Sequence, residues 1–299
     1  MRRRFVTLDV FTNKRFAGNP LAVVLDPQGL DAATMQAIAR EFNLAETVFV
    51  LPLVDPARRA RLRIFTPATE LPFAGHPTVG TAVLLARIDG GSDQRQIVVE
   101  EGIGPVRCMT GPVAADCGRA RFELGRLPSE VGAAADEEII ATALGLKAAD
   151  IGFDRFTPVR WSAGVPFTFV PIRSLDPIRR CRIDPGHWDA AFGQDTQGAA
   201  YMFCRDTVEA GHAFHVRMFA PRMGIPEDPA TGSAAAAFAG VLARYETLAD
   251  GRHDFEIEQG YEMGRPSLIE LSIAIKQREL VSAAVGGEAI IVSDGTIEA

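Results

Sequence analysis

The chain has 299 residues, 47% of them hydrophobic, and a formal net charge of −7. This length fits two domains of ordinary size with well-filled cores, and the apolar content argues against disorder. The acidic balance argues against a nucleic-acid surface, which normally shows a basic excess, but it leaves an anionic substrate open because a local site can be positive inside an acidic protein.

The beginning of the chain, MRRRFVTLDVFT, predicts a strand and not a signal peptide, because Thr7 and Asp9 interrupt the apolar residues. The apolar run at residues 234–243 is too short to cross a bilayer. The four cysteines form no Cys-x-x-Cys pair, which fits reduced thiols better than a disulfide framework. We therefore expect a cytoplasmic protein with no membrane contact.

Short runs of β-type residues, separated by Gly, Pro and Asp, dominate the chain and predict mostly antiparallel sheet. Residues 31–42 have the pattern of an amphipathic helix, with Asp31 as its N-cap and Met35 and Ile38 among its inward residues. Residues 128–149 are rich in Ala and Glu, and we interpret them as helical and as the boundary between two halves.

FAGHPTVGTAVLLA, at residues 73–86, is apolar all round and predicts a buried helix. Pro is favoured at the first helical position, so we expect His76 to be the N-cap and Pro77 to begin the helix. Such a helix would aim free backbone N–H groups, those of Thr78 and Val79, at a ligand.

The pattern around this helix recurs later in the chain. Residues 63–82 match residues 217–236, and a weaker echo of residues 18–23 lies at residues 164–169. Matches in the same order and at a nearly constant offset predict two copies of one domain.

The second copy carries Asp228 and Pro229 where a helix should begin, so we expect Asp228 to be the N-cap and Pro229 the first helical residue. A pseudo-two-fold axis would bring both helix starts to one cleft. There the free N–H groups, including those of Ala230 and Thr231, would form an anion site. The pattern thus predicts a small ligand that bears a carboxylate.

Glycines at the two helix starts, Gly75 and Gly232, would let backbone and ligand come close. The alternative is that His76 and Asp228 are only caps and the glycines only packing residues.

Glu46 is the candidate for chemistry. If residues 44–51 form a strand, its side chain shares a face with Leu44 and Val48, and burial would raise its pKa toward the range that is useful for moving protons. Periodicity alone slightly favours the alternative, a Glu at a solvent-exposed strand start.

Other polar residues carry weaker signals. His212 and His215 are expected on opposite faces of a strand, with no carboxylate or Cys at ligand spacing, so we predict no metal site. No glycine-rich phosphate loop is present, so no nucleotide or redox cofactor is expected. We interpret Glu70 and Glu227 as local turn or helix-dipole partners. Ser233 would donate a hydrogen bond to the ligand.

Five stretches together resemble the PhzF-like family of phenazine-biosynthesis proteins. They run in order over nearly the whole chain: FTNKRFAGNPLAVVL, NLAETVFVLP, RIFTPATELPFAGHPTVGTA, EDPATGSAAAA and QGYEMGRPS. The resemblance implies the diaminopimelate-epimerase fold, an α+β fold of two similar halves. Each half is an antiparallel β-sheet wrapped around a central buried helix, and the active site lies in the cleft between them. A homodimer and the absence of a cofactor are also implied.

On this resemblance we place the first half at residues 1–125, together with the last strand at 282–299, and the second half at residues 126–281.

The family's site residues carry over by position. The Glu of the Asn-Leu-Ala-Glu-Thr motif is the general acid/base, here Glu46. The family's Gly-His and Asp-Pro pairs contribute to the substrate site, here Gly75, His76 and Asp228, with Ser233 nearby. The implied reaction abstracts a proton from carbon next to an unsaturated carboxylate and returns it elsewhere, so we predict a cofactor-independent isomerase.

Related racemases of this fold use two cysteines, one at the head of each central helix. Residues 74–77 and 228–231 contain no thiol, which disfavours a two-thiol racemase here. A two-base epimerase without thiols, a hydrolase or lyase that uses the same carboxyl, and a non-catalytic protein that binds a small acid stay open as alternatives.

Overall fold

The computed structural model describes residues 1–52, 55, 57–91, 93–114 and 116–299. The chain divides into two compact units, which we call unit 1 (residues 1–123 and 286–299) and unit 2 (residues 124–285). The domain limits predicted at residues 125 and 281 stay predictions.

The described residues form strands throughout the chain. In chain order they are β1 Arg2–Val10, β2 Asn19–Val24, β3 Glu46–Leu51, β4 Ala60–Phe65, β5 Glu70–Leu71, β6 Arg95–Glu101, β7 Gly104–Ala114, β8 Cys117–Glu123, β9 Ser129–Glu130, β10 Val159–Ser162, β11 Pro166–Pro171, β12 Ala200–Cys204, β13 Phe214–Ala220, β14 Ile225–Asp228, β15 Gly251–Gln259, β16 Ser267–Lys276 and β17 Glu279–Glu298. The helices are α1 Ala32–Phe42, α2 Gly75–Ile88, α3 Glu137–Leu144, α4 Leu175–Arg180, α5 Trp188–Phe192 and α6 Gly232–Tyr245, with short 3₁₀ turns at Ala148–Asp150 and Pro221–Met223.

In unit 1, strands close into a barrel around α2. The pairings run from β1 through β2, β3, β4, β6, β7, β8 and β17 back to β1. Every α2 residue from Gly75 to Ala86 is buried. The prediction that this segment forms a buried helix is therefore confirmed.

In unit 2, the strand pairings follow the same order as in unit 1. β10–β11 is antiparallel, β11–β12 parallel, β12–β13 antiparallel, β13–β15 parallel and β15–β16 antiparallel. α6 is buried from Ala234 to Leu242 and packs against β10, β11 and β16. The predicted cleft between two similar halves stays a prediction.

Most strand pairings are antiparallel, as the sequence predicts, but the sheets are mixed, so the purely antiparallel sheets implied by the resemblance are wrong in part. The parallel pairs are β2–β3, β4–β6, β11–β12 and β13–β15. Parallel neighbours need a long crossover connection, usually a helix. Each of these pairs has one: α1, α2, α4 with α5, and α6. Three of these crossovers, α1, α2 and α6, were predicted as helices from the sequence, whereas α4 and α5 were not.

The helix boundaries follow local chemistry. α1 begins as predicted, because the Asp31 carboxylate accepts a hydrogen bond from the Thr34 N–H at 2.8 Å. The predicted helix at residues 128–149 is shorter than expected. β9 occupies its beginning, and α3 ends at Gly145, whose φ of 67° is left-handed.

The described helices include none with both the length and the apolar character needed to cross a bilayer. All four cysteines are free thiols, and Cys117 is the one that is not fully buried.

Packing inside the barrel predicts a large difference between two positions on α2. Leu84 is buried, whereas Ile88 at the helix end is 52% exposed. We expect Leu84→Ala to lower the free energy of unfolding by about 2–5 kcal/mol, because it leaves a cavity in a closed barrel. Ile88→Ala removes as many carbon atoms and should cost no more than about 0.5 kcal/mol. Urea unfolding followed by circular dichroism measures both, and equal losses would contradict the helix placement.

Candidate active site

Glu46 and His76 lie together in unit 1. Glu46 is the first residue of β3, beside Leu21 of β2, and is 9% exposed. Its Oε2 lies 3.2 Å from Nε2 of His76 in the first turn of α2. The sequence left a solvent-exposed Glu46 open, and the structure places this carboxyl in the interior.

His76 is a neutral imidazole. Burial lowers its pKa to about 3, although a hydrogen bond with the backbone of Pro20 opposes the shift. Because proline has no N–H, its carbonyl accepts this bond from a ring N–H. Nε2 makes no hydrogen bond of good geometry among the described residues, so the donor is Nδ1. A neutral ring has a single N–H, and Nε2 therefore presents a lone pair toward Glu46.

The start of α2 differs from the prediction. The N-cap is Ala74, and His76 and Pro77 are the second and third helical residues. The Ala74 carbonyl accepts hydrogen bonds from both the N–H and the hydroxyl of Thr78, at 3.2 Å and 2.7 Å, which fixes the helix start earlier. Pro is compatible with any first-turn position, because the N–H it lacks would have no partner there.

The expected free N–H of Thr78 is thus occupied. The donors of α2 that have no acceptor within the helix are those of Gly75 and His76, at its first two residues. The prediction of an anion site therefore shifts to these two groups.

The start of α6 also differs from the prediction. Asp228 is the last residue of β14, Pro229 lies outside the helix, and Thr231 is the N-cap before Gly232. The Asp228 carboxylate still contacts the helix start, because its Oδ2 accepts a hydrogen bond from the Thr231 hydroxyl at 2.6 Å. It supports the cap without being the cap.

Gln259, at the end of β15, holds the segment before α6. Its Oε1 accepts from the Thr231 N–H at 3.0 Å, and its Nε2 donates to the Asp228 carbonyl at 2.7 Å. The predicted free N–H of Thr231 is therefore occupied. Gly232 and the partly exposed Ser233 are left with first-turn N–H groups that have no acceptor within the helix.

The sequence did not single out Gln259. The next residue, Gly260, has a φ of +78°, and a Cβ there would lie 2.6 Å from the Pro229 carbonyl oxygen. A polar residue followed by a glycine at a strand end was the available signal for this close approach.

Glu70 and Glu227 bind arginines, so their interpretation as helix-dipole partners is wrong. Arg63 donates two hydrogen bonds to Glu70, at 2.6 and 2.7 Å, and Arg217 donates two to Glu227, both at 2.8 Å. Each guanidinium also lies over the phenylalanine ring two residues further along the chain. The same contacts therefore recur at matching sequence positions.

His212 and His215 converge on one carboxylate, contrary to the prediction. His212 precedes β13 and is not bound by strand alternation, and both Nδ1 atoms lie within 2.8 Å of Glu258 oxygens. His215 Nε2 lies 3.0 Å from Glu262. Among the described residues no three His, Cys, Asp or Glu side chains are arranged to hold a metal ion. The expected absence of a metal stays a prediction.

Opposite charges stabilise the histidine–glutamate cluster, which consists of His212, His215, Glu258 and Glu262. Burial would lower the pKa of His215, but hydrogen bonds to Glu258 and Glu262 raise it. Burial would raise the pKa of Glu258, but hydrogen bonds from His215 and from the backbone hold it at about 2. His215 is therefore an imidazolium between two carboxylates, unlike the neutral His76.

Residues 8–295 match the PhzC-PhzF family, described as phenazine biosynthesis-like protein.

Curated relatives align over almost their full length. An uncharacterized isomerase of Mesorhizobium japonicum is 49% identical and covers 99% of this chain and 98% of that protein. The trans-2,3-dihydro-3-hydroxyanthranilate isomerase of Pseudomonas fluorescens is 35% identical and covers 98% of each chain.

A similar solved structure is the PhzF-family phenazine biosynthesis protein of Bacillus anthracis. It is 26% identical, covers 100% of both chains and superposes with a TM-score of 0.89. The diaminopimelate-epimerase-like fold is therefore confirmed.

The histidine–glutamate cluster predicts a pH-dependent stability. Glu258 contributes stability that is present above its unfolded pKa of 4.5 and is lost as the pH falls toward about 2. His215 contributes stability that is present below 6.5 and is lost as the pH rises through its higher folded pKa. The contribution of the pair is thus greatest between pH 4.5 and 6.5.

We expect Glu258→Gln to lower the free energy of unfolding by about 3–5 kcal/mol in that window, because it leaves a buried imidazolium poorly paired. Glu256→Gln, at an exposed glutamate two residues earlier on the same strand, is the matched control. Urea unfolding at several pH values measures both variants. Equal losses, or a Glu258→Gln loss that does not vary with pH, would contradict this account.

Proposed function

Because the chain belongs to the PhzC-PhzF family and is an isomerase, we propose that it moves a proton between carbons of a small unsaturated carboxylate, with Glu46 as the general acid and base. The observation that carries the proposal is the buried contact between the Glu46 carboxyl and the neutral His76 ring. A carboxyl in such surroundings can take a proton from carbon and return it, because water is excluded and a proton acceptor lies beside it.

The proposed step conserves atoms and electrons. A C–H bond next to the conjugated system breaks, its proton goes to a Glu46 oxygen, and the electron pair moves along the double bonds. The same carboxyl then gives a proton to another carbon of that system. Because nothing is oxidised or reduced overall, the reaction needs no redox cofactor.

His76 would keep Glu46 in position and share its proton. Its Nδ1–H is committed to the Pro20 carbonyl, so the ring cannot turn without losing a buried hydrogen bond. Nε2 can therefore only accept, and it favours a protonated Glu46 after abstraction. This arrangement makes the acid form of Glu46 ready for the return step.

Substrate binding is proposed at the two helix starts. The N–H groups of Gly75 and His76 and those of Gly232 and Ser233 have no acceptor within their helices. Helix N-termini attract carboxylates through these donors and through the helix dipole. The Asp228 carboxylate, fixed by Thr231, would bind a donor group of the substrate.

The relatives suggest the substrate class. The Pseudomonas fluorescens relative is named for trans-2,3-dihydro-3-hydroxyanthranilate, an unsaturated ring carboxylate. We propose an acid of this type, with a carboxylate next to conjugated double bonds, as the substrate of this chain. The homodimer implied by the family resemblance and the cytoplasmic location expected from the sequence remain predictions.

Deuterium uptake at carbon tests the proposal. A panel of small unsaturated acids and amino acids, including dihydro-hydroxyanthranilate, is incubated in heavy water and followed by NMR and mass spectrometry. We expect Glu46→Gln to bind the same acids but to lose a factor of about 10²–10⁴ in rate, because the amide cannot exchange a proton at this step. Glu41→Gln, on the exposed side of α1, is the matched control.

The readout includes isomerised product without deuterium, which would mean that the shielded carboxyl returns the same proton. Unchanged turnover in Glu46→Gln would reject Glu46 as the acid and base. Saturable binding without uptake or product across the panel would favour a binding protein, and a second product in the mass spectrum would favour a lyase or hydrolase.

A further inference from the structure

A second buried carboxyl lies beside the start of α2 and has no part in the proposed reaction. Glu101 ends β6 and is 5% exposed. Alternation along β6 turns it inward together with Ile97 and Val99, into the barrel. Its Oε1 lies 2.7 Å from the hydroxyl oxygen of Thr78, and its Oε2 is buried with no hydrogen-bond partner among the described residues.

The hydrogen bonds at Thr78 require a proton on Glu101. The Thr78 hydroxyl oxygen lies 2.7 Å from the Ala74 carbonyl as well as 2.7 Å from Glu101. A hydroxyl has one proton to give, and a carbonyl oxygen can only accept. When Thr78 donates to Ala74, the second contact needs a donor, and the acid form of Glu101 supplies it.

The ionised form fits these contacts poorly. A Glu101 carboxylate would accept the hydrogen bond of the Thr78 hydroxyl. The lone pairs of the hydroxyl oxygen would then face the Ala74 carbonyl oxygen at 2.7 Å. The carboxylate would also keep one oxygen buried without a partner, which is costly for a charged group.

Burial acts in the same direction. It raises the pKa of Glu101 to about 8, and a hydrogen bond donated by the Thr78 hydroxyl to the carboxylate would lower it only in part. The positive end of the helix dipole would favour the carboxylate. Desolvation outweighs this effect, because the side chain lies inside a closed barrel.

No charged neighbour in the described part of the barrel offsets the rise in the pKa of Glu101. The inward residues of the two strands that flank β6 include Ala60, Leu62, Val106 and Cys108. Burial and the proximity of Glu101 both raise the pKa of Cys108, which stays a thiol. His76 on α2 is neutral, with a pKa of about 3. Glu101 therefore faces uncharged groups at neutral pH.

Glu101 is linked to the start of the helix in two ways. Through Thr78 it contacts the carbonyl of Ala74, the N-cap that precedes Gly75 and His76. The turn after Glu101 is fastened to the same segment, because the Ile103 N–H donates to the Pro72 carbonyl at 3.2 Å.

We propose that Glu101 is a positioning residue that acts in its acid form. Through Thr78 it holds the Ala74 carbonyl and so orients the first turn of α2, with Gly75 and His76. Ionisation of Glu101 in alkaline solution turns the hydroxyl away from Ala74 and loosens this turn. The consequence for turnover rests on the proposed function, whereas the change at the helix start does not.

The helix start itself gives a readout that needs no substrate. Amide NMR resonances of Gly75 and His76 should move with pH, with a midpoint near 8, as the carboxylic-acid band of Glu101 disappears from infrared difference spectra. Glu101→Gln should abolish both changes and keep the fold, since its amide N–H can donate to Thr78. Glu100→Gln, one residue earlier on the same strand, should behave as wild type.

Thr78→Val tests whether the Thr78 hydroxyl transmits the ionisation of Glu101 to the start of α2. In this variant the infrared band should still titrate, while the Gly75 and His76 resonances should no longer follow it. Titration of the band below pH 6, or resonances in Glu101→Gln that follow the wild-type midpoint, would overturn the proposal.

Thermal unfolding provides a second test. Glu101 has a raised folded pKa, so its contribution to stability is fully present below 4.5 and is lost as the pH rises through about 8. The wild-type melting temperature should therefore fall over this range relative to that of Glu101→Gln. If the melting temperatures of the two proteins changed with pH in parallel, the proposal that Glu101 acts in its acid form would be overturned.

Turnover links the residue to function. With any acid that exchanges deuterium, the wild-type rate should fall above a midpoint near pH 8, and Glu101→Gln should keep its rate at neutral pH without this fall. If the fall persists in Glu101→Gln, Glu101 does not position the site. If no acid exchanges, the proposed function fails, while the NMR, infrared and unfolding results still decide the role at the helix start.

Discussion

Burying the N-terminus of α2 inside a β-barrel constrains everything around the candidate site. A first helical turn carries donors without helical acceptors, and a buried polar group left without a partner costs about 1–3 kcal/mol. The side chains of this turn do have partners: the His76 ring bonds to the Pro20 backbone of the barrel, and the Thr78 hydroxyl contacts the carbonyl of the N-cap Ala74 and Glu101 of β6. The N–H groups of Gly75 and His76, which have no acceptor within the helix, are the donors of this turn that we propose for a ligand.

Unit 2 meets the same constraint with different side chains. One amide, that of Gln259, both accepts from Thr231 and donates to the Asp228 carbonyl. The residue before it, Glu258, binds two histidines and two backbone N–H groups. The end of β15 thus anchors two loops, one of which leads to α6. Uncharged hydrogen-bonding groups support the start of α2. The start of α6 is held by Gln259, whose neighbour Glu258 is fixed by ion pairs with histidines.

The sequence was informative where the signal is local. Apolar residues all round α2 predicted its burial, and Asp31 marked the start of α1. The starts of α2 and α6 were placed too late and too early, respectively, because proline fits several first-turn positions and the acceptor carbonyl decides among them. The parallel strand pairs were also missed, since strand direction depends on the path of the crossover and not on strand composition.

The site was predictable in its central pair and not in its supports. Glu46 and His76 were singled out from local sequence patterns, the family resemblance assigned their roles, and the structure brings them together. Glu101 and Gln259 lie 23 and 28 residues from the threonines they bind, and single-sequence patterns do not report such contacts. A signal for Glu101 did exist, because it continues the inward face of β6, and a carboxyl on an apolar strand face marks a buried acid.

The position of β17 in the chain determines when the barrel of unit 1 can close during synthesis. Its last part pairs with β1 and β8 and closes the barrel of unit 1, while unit 2 is a continuous stretch of chain. On the ribosome, unit 2 is complete before β17 reaches β1, and domains generally fold as units during synthesis. Until then the sheet around α2 lacks its closing strand, so apolar helix surface that the closed barrel buries stays exposed. The barrel therefore begins before unit 2 along the chain and closes after it.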